Sequence, residues 1–152
     1  MCRVWSYAQD TPVINYWRHI VLIRKPSVVL YHADCADGFG AAYAAWCRWG
    51  TDVQYVPIKY GQRPKPYENE NLLILDFSLP RDELSQLVLR GNRIQLLDHH
   101  KSAESLLGGY AALGDEEFDI QVYFDIERSG ARLAWDFIHP DKHVPYLIYL
   151  IE

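Results

Sequence analysis

The chain has 152 residues, enough for one α/β domain with a sizeable buried core. Hydrophobic residues make up 49% and charged residues 23%, which excludes a disordered or fibrous chain. The formal net charge of -5 excludes a basic nucleic-acid clamp, so any hold on a phosphate polymer must be local or run through metal ions that invert the local charge.

Residues 1–25 are aromatic and irregular, with Trp5, Tyr7, Tyr16 and Trp17 but no period, and read as an N-terminal extension to a domain spanning 26–152. The apolar run Ile20–Ile23 ends at Arg24 and Lys25, far too short for a signal segment or a membrane span. Cys2, Cys35 and Cys47 form no paired framework and no CxxC motif, so a reducing, cytoplasmic setting without a membrane partner is expected.

From there strands and helices alternate. Ser27–Tyr31 is a short β-branched run suited to a buried strand. In Gly38–Trp49 the apolar residues Phe39, Ala42, Tyr43 and Trp46 share one helical face, and Gly50 sits where a C-cap glycine belongs. Asp52–Ile58 predicts a second strand, Gly61–Asn71 a polar loop and Leu72–Asp76 a third strand. Pro80, Asp82 and Glu83 open a helix carrying Leu84, Leu87 and Val88. Ile94–Asp98 and Ile120–Phe124 are the last strands, and Ser129 is the expected N-cap of a helix with Ala131, Ala134, Trp135 and Ile138 on one face. This alternation predicts an open, mostly parallel, Rossmann-like α/β sheet of about five strands with helices on both faces.

Three polar clusters interrupt the apolar pattern, each at a strand end: His32 to Gly38, Asp76, and Asp98-His99-His100-Lys101. In a parallel sheet the carboxyl ends of the strands share one edge, so these clusters should converge there. Neighbouring carboxylates repel unless cations lie between them, and an Asp/His set with no necessary Cys suits Mn²⁺ or Mg²⁺ better than a structural zinc. Asp76, alone on a middle strand, is the best bridge between two ions, and His100 and Lys101 offer positive charge to a phosphate. Each feature has a plainer reading. Asp34 is a plausible N-cap for the Gly38–Trp49 helix, paired histidines are often solvated, and Gly38 and Gly40 can simply serve a tight turn.

The same residues resemble the DHH phosphoesterases. The naming motif stands intact as Asp98-His99-His100 after a hydrophobic strand, and Asp76 in LLILDFS looks like the second motif. YHADCADGFGAA looks like the first motif of the branch that includes the nanoRNase B-type oligoribonucleases, and SGARLAW (Ser129–Trp135) is similar to the helix start found there. The resemblance covers roughly residues 28–152. It implies a two-manganese hydrolase in which His32, Asp37, Asp76 and His99 bind metal, Asp98 supports the site and His100 faces the substrate phosphate. The commoner first motif has an acidic residue two positions before the Asp-Gly aspartate. Here that position is Cys35, with Asp34 one step further away, which leaves open whether Asp34 touches metal.

The resemblance also implies a fourth-motif aspartate and a C-terminal substrate-binding domain, neither of which is found before Glu152. The expected function is therefore that of a DHH domain: a Mn²⁺-dependent hydrolase (nuclease or oligoribonuclease type) cleaving short oligonucleotides with a water activated between two ions. As an isolated domain it is expected to turn over poorly. Two alternatives stay open, a degenerate domain that binds metal or nucleotide without catalysis, and a hydrolase of cyclic dinucleotides or pyrophosphate. Assembly into homo-oligomers is left open as well.

Overall fold

A computed structural model describes residues 23–104 and 119–152. Most of the N-terminal extension assigned to 1–25, with Trp5, Tyr7, Tyr16 and Trp17, lies outside the described residues. Five strands form one sheet in the order β2-β1-β3-β4-β5, every pair parallel. They are β1 (Val28–His32), β2 (Gln54–Ile58), β3 (Asn71–Leu75), β4 (Arg93–Asp98) and β5 (Ile120–Phe124). Among the described residues the helices are α1 (Ala36–Trp49), α2 (Arg81–Leu89), α3 (Gly130–Ile138) and α4 (Tyr146–Ile151), with a short 3₁₀ turn at Gly50–Asp52 and helical residues at 101–104. The predicted α/β class and its five parallel strands are present.

Leu72, Leu73, Ile74 and Leu75 of β3 are all buried, as a central strand covered on both faces must be. Side-chain alternation divides the strands between two cores. Val29, Leu73, Leu75, Leu97 and Tyr123 pack with α1, α3 and α4, whereas Val28, Leu30, Leu72, Ile74, Ile94 and Leu96 pack with Leu84 and Leu87 of α2 and with Ala103. Helices therefore cover both faces.

Helix α1 corrects one expectation. Phe39 and Trp46 point outward, 58% and 53% exposed, while Ala41, Ala42, Ala44 and Ala45 are buried. The cause is close helix packing: a Cβ on Gly40 would meet Ala131 at 2.6 Å, so α1 presents its small residues to α3 and leaves the aromatic rings outside. The helix also begins earlier than expected. Cys35 occupies the N-cap, and Asp34 has no capping role but sits before it with φ 55°.

The strand order reverses direction between β1 and β3, the switch point where an open α/β sheet forms its ligand crevice. Register sets what lies there. Tyr31 pairs with Leu75 and Leu75 with Leu97, so His32, Asp76 and Asp98 form a row across the carboxyl ends of three adjacent strands.

Candidate metal centre

His32 ends β1, Asp76 follows β3 directly, and Asp98 ends β4 with His99 and His100 just beyond. Nε2 of His99 lies 3.1 Å from Oδ1 of Asp76 and 3.2 Å from Oδ2 of Asp37, and Nδ1 of His32 lies 3.5 Å from Oδ2 of Asp76. Of the residues expected to bind metal, His32, Asp37, Asp76 and His99 thus meet in one place. Asp34 does not join them: its exposed side chain pairs with Lys59 at 2.8 Å, and that cation holds its carboxyl below the usual range.

Asp76 is the unusual group. Its side chain is 0% exposed, its backbone has φ 63°, and neither carboxylate oxygen receives a well-formed hydrogen bond from an N–H or O–H group among the described residues, although the Cys35 thiol is close enough to donate. Burial, and next the charge of Asp37, push its carboxyl up to about 7. An ionised carboxylate buried without donors is costly, and a bound cation removes that cost. Nδ1 of His32 is likewise buried and unpartnered among the described residues. Two trios of donor atoms, each spanning no more than 4.8 Å, share Asp76: His32, Cys35 and Asp76, and Asp76, His99 and His100. A shared carboxylate between two donor sets is what a bridging ligand requires, and the donors fit divalent cations.

The surroundings hold these ligands in place. Asp98 is buried and fully engaged. Its Oδ1 accepts the backbone N–H of His99 at 2.8 Å and of His100 at 3.2 Å, as well as Nδ1 of His100 at 2.7 Å, and its Oδ2 accepts the hydroxyl of Ser78. Burial opposes a charge on His100, but the Asp98 hydrogen bond and the nearby carboxylates outweigh it and raise the ring's pKa above the ordinary histidine value. Asp37 has a structural task. Both its oxygens accept backbone N–H groups at the start of α3, from Gly130 at 2.9 Å and from Ala131. Ser129 caps the same helix by accepting from the N–H of Arg132 at 3.1 Å, as expected.

Two glycines permit these approaches. A Cβ on Gly130 would fall 2.1 Å from Oδ1 of Asp76, and one on Gly38 would fall 2.1 Å from the carbonyl oxygen of His32. The SGA and DGFG segments therefore let two helix starts press directly on the centre. Sequence reasoning missed Cys35, Ser78 and Gly130 as site residues. The lone hydroxyl carried no spacing signal, Gly130 was read only as part of the SGARLAW helix start, and Cys35 was noted only as a departure from an acidic pattern.

Beside the centre opens a cleft of about 410 Å³. His32, Asp98, His100, the apolar Phe77 and Leu79, and the cations Lys59 and Arg63 are among the residues that line it. Lys101 does not line it. No helix among the described residues is long and apolar enough to cross a membrane.

No known protein family matches the chain by its sequence profile, and no solved structure matches it. The chain is similar to an uncharacterized protein of Acanthamoeba polyphaga mimivirus, 30% identical over 141 residues. That match takes in 82% of this chain, which spans about a third (32%) of the viral protein's length.

Proposed function

We propose that this chain is a divalent-metal-dependent phosphoesterase domain of DHH type, acting on phosphodiester bonds of short oligonucleotides. The observation that carries the proposal is the Asp76 carboxylate, wholly buried with no well-formed hydrogen bond from an N–H or O–H group among the described residues, and flanked by His32 and His99. His32, Asp37, Asp76 and His99 would hold two ions, Mn²⁺ by the resemblance and Mg²⁺ as the substitute. When bound, such ions lower the pKa of a water and neutralise charge developing on a phosphoryl group.

The remaining roles belong to the chain's own groups. Asp98 accepts a hydrogen bond from Nδ1–H of His100 and orients that ring. When that ring is protonated at both nitrogens, its other N–H would donate to a phosphate oxygen or give its proton to the leaving oxygen. Arg63 and Lys59, which line the cleft, supply charge for a neighbouring phosphate, although each is already paired, with Glu83 and Asp34 respectively. Phe77 gives an apolar wall suited to a nucleobase.

A second reading, metal or nucleotide binding without hydrolysis, is favoured by one observation. Both oxygens of Asp37 are already committed to the start of α3 and are poorer ligands for it. An assay separates the two: a short 5′-labelled oligoribonucleotide and an aryl phosphodiester, each with Mn²⁺ and the full chain. Turnover abolished by His99→Ala is expected for the hydrolase. Saturable Mn²⁺ binding with no turnover of either substrate would favour the binding domain instead.

A further inference from the structure

Cys35 is not needed by a centre built from Asp and His alone, yet the fold brings it there. It occupies the N-cap of α1, between His32 at the end of β1 and Asp37 in the first helical turn. Its sulfur and one ligand atom each from His32 and Asp76 lie within 4.8 Å of one another. That spread is close to what two metal–ligand bonds of about 2.0–2.3 Å can cover. The other two members point to a ligand independently of the cysteine. The Asp76 side chain is wholly buried, no N–H or O–H group among the described residues makes a well-formed hydrogen bond to either of its oxygens, and Nδ1 of His32 likewise lacks a partner there. Cys35 is a free thiol.

We infer that Cys35 is a direct ligand of the ion held by His32 and Asp76, so that this half of the centre takes a thiophilic dication such as Zn²⁺ or Co²⁺. The inference rests on the metal centre proposed above and changes its ion preference. A thiolate is a soft donor, and a sulfur–nitrogen–oxygen set favours Zn²⁺ and Co²⁺ over Mn²⁺. As the metal–sulfur bond forms, the thiol proton leaves to solvent, because a coordinating thiol is deprotonated outright. The groups on the other side of Asp76, His99 and Asp37, contain no sulfur and keep the preference for harder ions. Asp76 then joins two chemically unlike half-sites.

The test is anaerobic titration of the full, reduced chain with Co²⁺, following the thiolate-to-cobalt charge-transfer band in the near ultraviolet and the visible d–d bands. The charge-transfer band should grow to saturation in the wild type and vanish in Cys35→Ser, although Cys2 and Cys47 remain. Serine is a favoured N-cap, so this variant should fold, and Cys35→Ala should lose the same band. Competition against a chelating dye should show Zn²⁺ held at least about tenfold more weakly by Cys35→Ser, with Mn²⁺ affinity little changed. Asp76-dependent d–d bands without a charge-transfer band, or a charge-transfer band that survives in Cys35→Ser, would overturn the role of Cys35 and leave the metal centre standing. No binding of Co²⁺ at all would overturn both.

Discussion

The buried Asp76 carboxyl makes the metal-free protein sensitive to pH in a direction opposite to that of most aspartates. Its pKa rises from 3.8 in the unfolded chain to about 7 in the folded one. Between those values the folded state holds a proton that the unfolded state has lost, so stability is full below the lower value, falls as pH rises, and levels off above about 7. At 1.36 kcal/mol per pH unit, the loss is on the order of 4 kcal/mol. For a chain of this size that is roughly 8–16 °C in melting temperature. Asp76→Asn keeps the shape and deletes the charge. Urea unfolding of both proteins in chelator, at pH 4 and pH 8, isolates the Asp76 contribution as the difference between their stabilities. That difference should shift toward the variant by about 4 kcal/mol between the two pH values, and saturating divalent cation should restore the wild type alone. A shift below about 1 kcal/mol, or one of opposite sign, would refute the reasoning.

Four further substitutions probe separate parts of the structure. Gly130→Ala drives a Cβ to 2.1 Å from Asp76 and should cost about 1–3 kcal/mol of stability while weakening metal binding, read by thermal melts with and without Mn²⁺. Ser78→Ala removes the hydroxyl held by Asp98 and should lower turnover or metal affinity roughly 10- to 100-fold, with an unchanged circular dichroism spectrum. Asp34→Ala breaks an exposed pair with Lys59 and should leave metal affinity unchanged in a calorimetric titration. Leu73→Ala opens a cavity in β3 and should cost about 2–5 kcal/mol in urea unfolding without altering ion preference.

Much of the fold was legible because its signals are local. SVVLY, LLILD and IQLLD are short apolar runs bounded by polar residues, and their alternation with helical stretches admits few arrangements other than a parallel sheet. Convergence at the sheet edge followed from the same rule, and His32, Asp76 and His99 do meet there. What was not legible depended on approach rather than period. The aromatic residues of α1 gave the stronger helical stripe, but the alanines won the buried side because α3 comes too close for a large side chain. Asp34 looked like a helix cap by residue type, yet Cys35 takes the N-cap and Asp34 turns out to Lys59. Asp37 reads as a ligand in sequence and carries a second task, capping a helix 93 residues away, that no local pattern announces.

The metal centre itself is tested most directly by calorimetric titration of Mn²⁺ into the full chain at pH 8, above the value of about 7 at which Asp76 ionises. Saturable binding in the wild type, lost in both Asp76→Asn and His99→Ala while their folds persist, is the expected result. Absence of binding, or equal binding by the wild type and Asp76→Asn, would contradict a centre built on Asp76.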